Sequence, residues 1–207
     1  MTPLAPRLPN SGRRLFIRVL GALVGALFFA LGPIAHVSAQ PTSGPSLVVL
    51  VRHGEKATEP AGDPALSAAG QERASALIDA LVNVQPSAII VSATRRTGET
   101  AAPLAAKYRI TPQIIALTGG SALHVAAVAD AVRKQRGVVV VVGHSNTVPA
   151  IIRALGGPAL PDLCDTSYAT LFLLQPTNDG SPAQLVRAQF GASDSPNAGR
   201  CAPVQGR

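Results

Sequence analysis

Aromatic residues are scarce in this sequence, which has no tryptophan and only 3% aromatic positions in total. Apolar residues nevertheless make up 47% of the 207 positions, too many for a disordered chain. Valine, leucine, isoleucine and alanine must therefore build the core, and the length suits one domain. No basic run with interleaved aromatic residues is present, so the sequence gives no indication of a nucleic-acid partner.

Acidic residues are absent before Glu55, whereas basic residues precede an apolar run at 19–32. The small residues "VSA" at 37–39 are typical of a cleavage site. This layout predicts that residues 1–39 are an export signal and that the mature protein is periplasmic, with no membrane span after cleavage. A membrane anchor is the alternative, but the run is shorter than the roughly 20 residues of a spanning helix.

The stretch "GRRLFIR" at 12–18 resembles the twin-arginine export motif, although Gly12 and Ile17 differ from it and leave the Sec route open. The leader holds four of the 18 basic residues and none of the 11 acidic ones, so the mature chain has a net charge near +3 rather than +7. That mild positive charge suits a small anionic substrate.

Cysteine occurs only twice, at Cys164 and Cys201. In an exported protein an even pair favours a disulfide over two free thiols. The bridge would tie the glycine-, serine- and proline-rich tail at 192–207, which we expect to be flexible, back to the domain.

Apolar runs and helical patterns alternate after a linker at 40–46. Strands are expected at 47–51, 88–91 and 137–143, with an edge strand at 113–117, and helices at 66–82, 98–108, 121–136 and 147–157. The last apolar stretches, "YATLFLLQP" and "AQLVRAQF", flank the turn signal "TNDGS". The pattern predicts a three-layer α/β domain over 47–191: a mainly parallel sheet, helices on both faces and an antiparallel C-terminal edge hairpin.

Charged and imidazole side chains follow three of these strands, at Arg52-His53-Gly54, at "SATRR" (92–96) and at Gly143-His144. Ligands of open α/β sheets bind beyond the carboxyl ends of the strands. Two guanidinium groups can hold a phosphoryl group by paired hydrogen bonds, and a neutral imidazole can attack it. A second imidazole can stabilise the charge on the transferring oxygens. The three strand ends therefore predict a site for a phosphorylated anion.

The motifs "RHGE", "LSAAGQERA", "SATRRTGETA" and "GHSNT", in this order, resemble those of the histidine phosphatase superfamily. The resemblance spans about residues 47–190 and implies a metal-independent phosphatase without a cofactor. It places the phosphorylated histidine at His53 and the second pocket histidine at His144. It also implies phosphate binding by Arg52 and by Arg96; Arg95 is the alternative for the latter, because the two are adjacent.

The general acid that many members supply between the second arginine and the second histidine has no evident counterpart. The one acidic residue between Arg96 and Asp130 is Glu99, which lies inside a predicted helix. Because the usual donor is missing, a mutase reaction is disfavoured. Short phosphatases of the family resemble this sequence more closely. Glu55 is the candidate proton donor from its position beside the nucleophile. Asp165 and His124 are weaker candidates, since the first falls in a predicted surface loop and the second on a helix.

Two other functions are compatible with parts of the pattern. The stretch "VVVVVGHSNT" resembles the nucleophile elbow of a serine hydrolase with Ser145, but Thr147 replaces a glycine and no histidine follows in the chain. A binding module that retains the phosphate pocket without turnover is the non-enzymatic alternative. A metal site at His53 and His144 is disfavoured because the neighbouring arginines would repel a cation.

Overall fold

Strands and helices alternate along the chain in a computed structural model, which describes residues 44–177 and 181–194. The strands are β1 (Pro45–Arg52), β2 (Pro86–Ser92), β3 (Gln113–Ile115), β4 (Gly137–Gly143), β5 (Thr170–Gln175) and β6 (Gln184–Gln189). The helices are α1 (Ala68–Ala80), α2 (Arg95–Tyr108), α3 (Ser121–Arg133) and α4 (Thr147–Ala154). The predicted export signal, Cys201 and the tail beyond residue 194 lie outside the described residues.

The six strands form one sheet in the order β3-β2-β4-β1-β5-β6. Strands β3, β2, β4 and β1 are parallel, whereas β5 and β6 run antiparallel and complete one edge. The expected α/β architecture, with an antiparallel C-terminal hairpin, is therefore confirmed. Strand β3 occupies the other edge, as predicted for the run at 113–117.

Helices cover both faces of the sheet and divide the core into two parts. Helices α3 and α4 pack on one face, with Val132 and Ile151 fully buried. Helices α1 and α2 pack on the other, with Leu77 and Leu104 fully buried. Because β1 is covered on both faces, all four residues of 48–51 are excluded from solvent, which explains its continuous apolar sequence.

Helix α2 begins three residues earlier than expected, at Arg95 rather than at 98. The Thr94 side chain does not cap it. Instead, both carboxylate oxygens of Asp63 accept the Arg95 backbone N–H at 3.1 Å. A carboxylate at a helix N-terminus satisfies a free donor and interacts favourably with the helix dipole. The cap comes from a distant segment, so local sequence patterns do not reveal this start.

Helix α1 meets the loop after β1 at very short range. A Cβ atom on Gly54 would lie 2.8 Å from the Gly70 oxygen, and one on Gly70 would lie 2.2 Å from the Glu55 oxygen. The side chain of Ser67 caps α1 by accepting from the Gly70 N–H at 3.2 Å. Both glycines are therefore required for this backbone contact, which supports the loop carrying His53.

No helix within residues 44–177 and 181–194 is long and apolar enough to cross a membrane.

Candidate active site

The sheet register brings the three predicted strand ends together. Arg52 is paired with Gly143 across β1 and β4, and the His53 N–H donates to the Gly143 oxygen at 3.0 Å. On the other side of β4, Val91 is paired with Val142, which places Ser92 beside the start of the His144 loop. The rings of His53 and His144 are 5.3 Å apart between centroids. The residues therefore share one pocket.

His53 is buried and held in one orientation. Its Nδ1 lies 2.8 Å from the Gly54 carbonyl oxygen, which can only accept, so Nδ1 carries the proton. The other nitrogen, Nε2, therefore presents a lone pair. Burial, together with the positive charges nearby, lowers the pKa of His53 to about 3. The imidazole is accordingly neutral near pH 7, the form that acts as a nucleophile.

His144 is fixed by contacts to both ring nitrogens. Arg96 Nη2 lies 3.4 Å from Nδ1, which must accept because a guanidinium only donates. Nε2 then donates to Ser92 Oγ at 2.9 Å. The pKa of His144 is lowered to about 4, mainly by burial and next by the positive charge of Arg96. Neither ring nitrogen is left to activate Ser145.

Arg52 is buried at the end of β1 and anchored on one side only. Its Nη1 donates to the carbonyl oxygens of Cys164 at 2.7 Å and Ser167 at 3.2 Å. The guanidinium carbon lies 4.1 Å from the centroid of the Tyr168 ring, a cation–π contact. Burial lowers the pKa of Arg52, while Tyr168 and Asp165 oppose the shift, so the group stays cationic.

Arg96 and Arg95 occupy different surroundings in the first turn of α2. Arg96 lines the pocket with its side chain 20% exposed, and Nη1 lies 3.5 Å from Asp63 Oδ1. Arg95 is directed to Glu99, 2.6 Å from its Nε, and its side chain is 57% exposed. The helix therefore turns Arg96, and not Arg95, toward the two histidines.

Two buried donors in this pocket have no hydrogen-bond partner among the described residues: Nε of Arg52 and Nε of Arg96. A buried donor without a partner is costly, and such groups in a pocket indicate where a ligand binds. The cavity has a volume of about 350 Å³ and is lined by Arg52, His53, Lys56, Arg96, His144, Ser145, Asn146, Asp165 and Tyr168. The lining is polar, and its three cations, Arg52, Lys56 and Arg96, outnumber its one carboxylate, Asp165, which suits a small anion.

Glu55 does not line this pocket. Its carboxylate binds Arg73, with Arg73 Nη2 2.7 Å from Oε1 and Nε 3.0 Å from each oxygen. Burial by itself would raise the pKa of Glu55, but the hydrogen bonds from Arg73 lower it below its usual value. The ionised Glu55 carboxylate, paired with Arg73, therefore stabilises the loop after β1 and is poorly suited to donate a proton.

The other donor candidates lie in contrasting places. His124 is buried and its Nδ1 donates to the Ala116 oxygen at 2.9 Å, as a packed core histidine would. Glu99 binds Arg95 and accepts the Leu66 N–H at 2.7 Å. Asp165 lines the pocket with its side chain 98% exposed.

Tyr168, Lys56 and Asn146 line the pocket although sequence analysis did not identify them. Ser92, which orients His144, is the first residue of "SATRR", and its contact with the histidine depends on the pairing of β2 with β4. Asn146 directly follows "GHS", a signal that could have revealed it. Tyr168 lies at the site because its ring contacts Arg52, which is more than a hundred residues earlier in the chain. No local sequence pattern predicts this contact.

Within the described residues, no group of three or more histidine, cysteine, aspartate or glutamate side chains could hold a metal ion.

Residues 48–117, which include both arginines and His53, match the model of the histidine phosphatase superfamily (branch 1). Residues 48–117 thus carry the sequence pattern of this superfamily. The match ends before His144, but the fold brings His144 into the same pocket. The pocket, with two neutral histidines and two arginines, is consistent with phosphoryl chemistry.

Solved structures of phosphatases share this fold at low sequence identity. The protein histidine phosphatase SixA with tungstate is 17% identical, covering 69% of this chain and 96% of that one, with a TM-score of 0.53. A mycobacterial glucosyl-3-phosphoglycerate phosphatase with VO3 is 19% identical over 72% of this chain and 100% of the other, with a TM-score of 0.53. A protein from Nakamurella multipartitia, assigned as a SixA phosphohistidine phosphatase, is 24% identical over 74% and 100%, with a TM-score of 0.52.

A search of curated proteins finds no match to the chain.

Proposed function

We propose that the protein hydrolyses a phosphomonoester through a phosphohistidine formed on His53. The observation that carries this proposal is that the buried Nε–H donors of Arg52 and Arg96 have no partner among the described residues, while both arginines line one pocket with His53. Guanidinium groups bind phosphoryl oxygens through adjacent N–H donors. The arrangement therefore supports an anchored phosphoryl group within reach of a neutral nucleophile.

In the first step, His53 Nε2 attacks the phosphorus atom and the bond to the ester oxygen breaks. Arg52 and Arg96 hold the phosphoryl oxygens and offset their charge. An anionic substrate favours the protonated form of His144, which then supplies a further donor. In the second step, water attacks the phosphohistidine, the P–N bond breaks and inorganic phosphate leaves.

The phosphoenzyme itself provides the test. Wild-type protein incubated with a labelled phosphate donor should acquire acid-labile, base-stable phosphate on a histidine, and His53→Ala should acquire none and show no turnover. Ser145→Ala should still form the phosphoenzyme, whereas a serine hydrolase would lose all turnover in that variant. Turnover that survives His53→Ala, or that requires a divalent metal, would contradict the proposal.

A non-catalytic phosphate-binding protein remains the second candidate, since Glu55, the carboxylate nearest the nucleophile in sequence, is paired with Arg73. The same experiment separates the two: a pure binding protein would bind phosphate in a calorimeter without forming a phosphoenzyme or releasing product.

We infer a small phosphorylated substrate from the size and charge of the pocket. The solved relatives named above act on a phosphorylated protein histidine in one case and on glucosyl-3-phosphoglycerate in another. A panel of sugar phosphates, phosphorylated glycolipids and phosphohistidine peptides, tested on protein lacking residues 1–39, should identify the preferred class by kcat/KM.

We also propose that the protein is exported through its N-terminal leader, with a Cys164–Cys201 disulfide in the mature form. Fractionated cells should contain the mature protein in the periplasm, and changing both Arg13 and Arg14 to Lys should retain it inside if the twin-arginine route is used. Mass spectrometry of the unreduced mature protein should show the linked cysteine peptides.

A further inference from the structure

One carboxylate lies in the pocket of the proposed phosphatase, and it belongs to Asp165. The other acidic residues nearby are held by other groups: Glu55 by Arg73, Asp63 by the start of α2 and by Arg96, and Glu99 by Arg95. Among the described residues, Asp165 is therefore the acidic side chain whose position allows contact with a substrate.

The turn that carries Asp165 is held at both ends. The Ser167 N–H donates to the Cys164 oxygen at 2.9 Å, which closes a tight turn with Asp165 as its second residue. Arg52 Nη1 bonds to these same two residues, Cys164 and Ser167, through their carbonyl oxygens. Just before the turn, the Leu163 N–H donates to the Ser145 oxygen at 2.9 Å. The backbone of Asp165 is thus fixed to the residue that binds phosphate.

The Asp165 carboxyl group is at the mouth of the pocket and open to solvent. Its Oδ1 lies 3.8 Å from Arg52 Nη2, too far for a hydrogen bond, and 98% of the side chain is exposed. A group so placed can exchange protons with water directly. It also lies on the open side of the pocket, where the alcohol part of a phosphomonoester must extend, because the phosphoryl end is taken by the buried arginines and His53.

We propose that Asp165 is the general acid and base of the reaction, protonating the leaving oxygen and then activating the hydrolytic water. This inference rests on the proposed function. As His53 Nε2 forms its bond to phosphorus, the P–O bond breaks and its electron pair goes to the ester oxygen. That oxygen takes the proton of the Asp165 carboxyl group and leaves as an alcohol.

The second step restores both residues. The Asp165 carboxylate accepts a proton from water as the water oxygen bonds to phosphorus. The P–N bond breaks, its electron pair returns to His53 Nε2, and phosphate is released. The same group acts as an acid and then as a base, and proton transfer of this kind typically contributes about 100-fold or more.

The test compares leaving groups that need protonation with those that do not. In Asp165→Asn, kcat/KM for an alkyl phosphate should fall about 100-fold, while that for p-nitrophenyl phosphate should fall by no more than about threefold. Asp162→Asn is the matched control, because Asp162 is exposed in the same loop but does not line the active pocket. It should leave both rates unchanged.

Equal losses on the two substrates, or no loss on either, would overturn the assignment of Asp165. Urea unfolding of Asp165→Asn should match the wild type, because the replaced side chain is almost fully exposed and makes no hydrogen bond at its 3.8 Å contact. Failure of the proposed phosphatase function gives a different result. If the wild-type protein forms no phosphohistidine, both proposals are wrong. If it forms phosphohistidine but Asp165→Asn slows both substrates equally, only the role of Asp165 is wrong.

Discussion

At the scale of single residues, burial decides the chemistry of the site. The pKa values of His53 and His144 are lowered, to about 3 and about 4, mainly because burial disfavours their charged forms. Each imidazole also has a specific partner that selects its tautomer: the Gly54 carbonyl for His53 and Ser92 for His144. The free protein therefore presents a neutral imidazole at His53 across the physiological pH range.

This lowered pKa makes His53 a source of acid instability. Below its ordinary value of 6.5, the unfolded chain binds a proton at His53 while the folded protein does not until about pH 3. The contribution of neutral His53 to the free energy of unfolding is therefore fully present above pH 6.5 and is lost as the pH falls toward 3. Between pH 6.5 and 4.5 the wild type should lose on the order of 2 kcal/mol more free energy of unfolding than His53→Gln. Urea titrations at both pH values measure this, and identical losses would contradict it.

Arg96 and Arg95 form a natural pair for testing phosphate binding. Arg96→Lys removes the buried Nε–H donor, so KM for a phosphomonoester should rise roughly tenfold, because lysine lacks the planar set of donors. Arg95→Lys should leave KM near the wild-type value, since Arg95 is exposed and contacts Glu99. Steady-state kinetics of the two variants provide the comparison. A larger rise in KM for Arg95→Lys than for Arg96→Lys would contradict the assignment of phosphate binding to Arg96.

At the scale of elements, the site depends on how α1 packs against the loop after β1. The backbones of Gly54, Glu55 and Gly70 approach so closely that neither glycine position has room for a Cβ atom. About one turn along α1 from Gly70, Arg73 binds Glu55 and also donates to the Phe190 and Ala192 oxygens. Helix α1 therefore supports the segment that orients His53.

Substitution of Gly70 should disturb both stability and catalysis. The Cβ of Gly70→Ala would lie 2.2 Å from the Glu55 oxygen, so the loop must move, at a cost of about 1–3 kcal/mol and with a loss of kcat/KM. Gly98→Ala is the control in helix α2, where no atom lies within 4 Å of the new Cβ. It should stabilise the protein by about 0.5–1 kcal/mol. Urea midpoints and kinetics of both variants decide whether the contact matters.

At the scale of the whole molecule, residues 190–194 connect the two sides of the site. Arg73 holds Phe190 and Ala192, and Asp194 Oδ1 accepts the N–H groups of Tyr168 at 2.7 Å and Ala169 at 2.9 Å. Within the predicted tail at 192–207, the described residues Ala192 and Asp194 are therefore hydrogen-bonded to the domain. Since Tyr168 lies against Arg52, this segment also helps to fix Arg52, for which we propose phosphate binding.

Asp194 allows geometry and charge to be separated. Asp194→Ala leaves the Tyr168 and Ala169 amides without their acceptor, which should cost about 1–3 kcal/mol of stability and raise KM through Arg52. Asp194→Asn keeps an oxygen acceptor and should recover most of both losses. Denaturation and kinetics of the two variants test this. If alanine changes stability but not KM, the segment supports the fold without positioning the site.

The ends of the strands were the most predictable part of the molecule. Apolar runs locate β1 and β4 because a strand buried on both faces has no polar positions, and β4 was predicted with its observed bounds. Arg52, His53 and His144 follow such runs directly, so their convergence could be inferred from the geometry of a parallel sheet. Helix starts were less predictable, since α2 is capped by Asp63 from another segment.

The architecture and the convergence of Arg52, His53 and His144 at one edge of the sheet follow from the sequence, because periodicity and strand ends are local properties of the chain. The partners of each side chain, by contrast, depend on the tertiary structure. It turned Arg96 rather than Arg95 into the pocket, paired Glu55 with Arg73, and brought Asp165 and Tyr168 to Arg52. These contacts join residues far apart in sequence, and they depend on helix phase and loop closure, which no local pattern encodes.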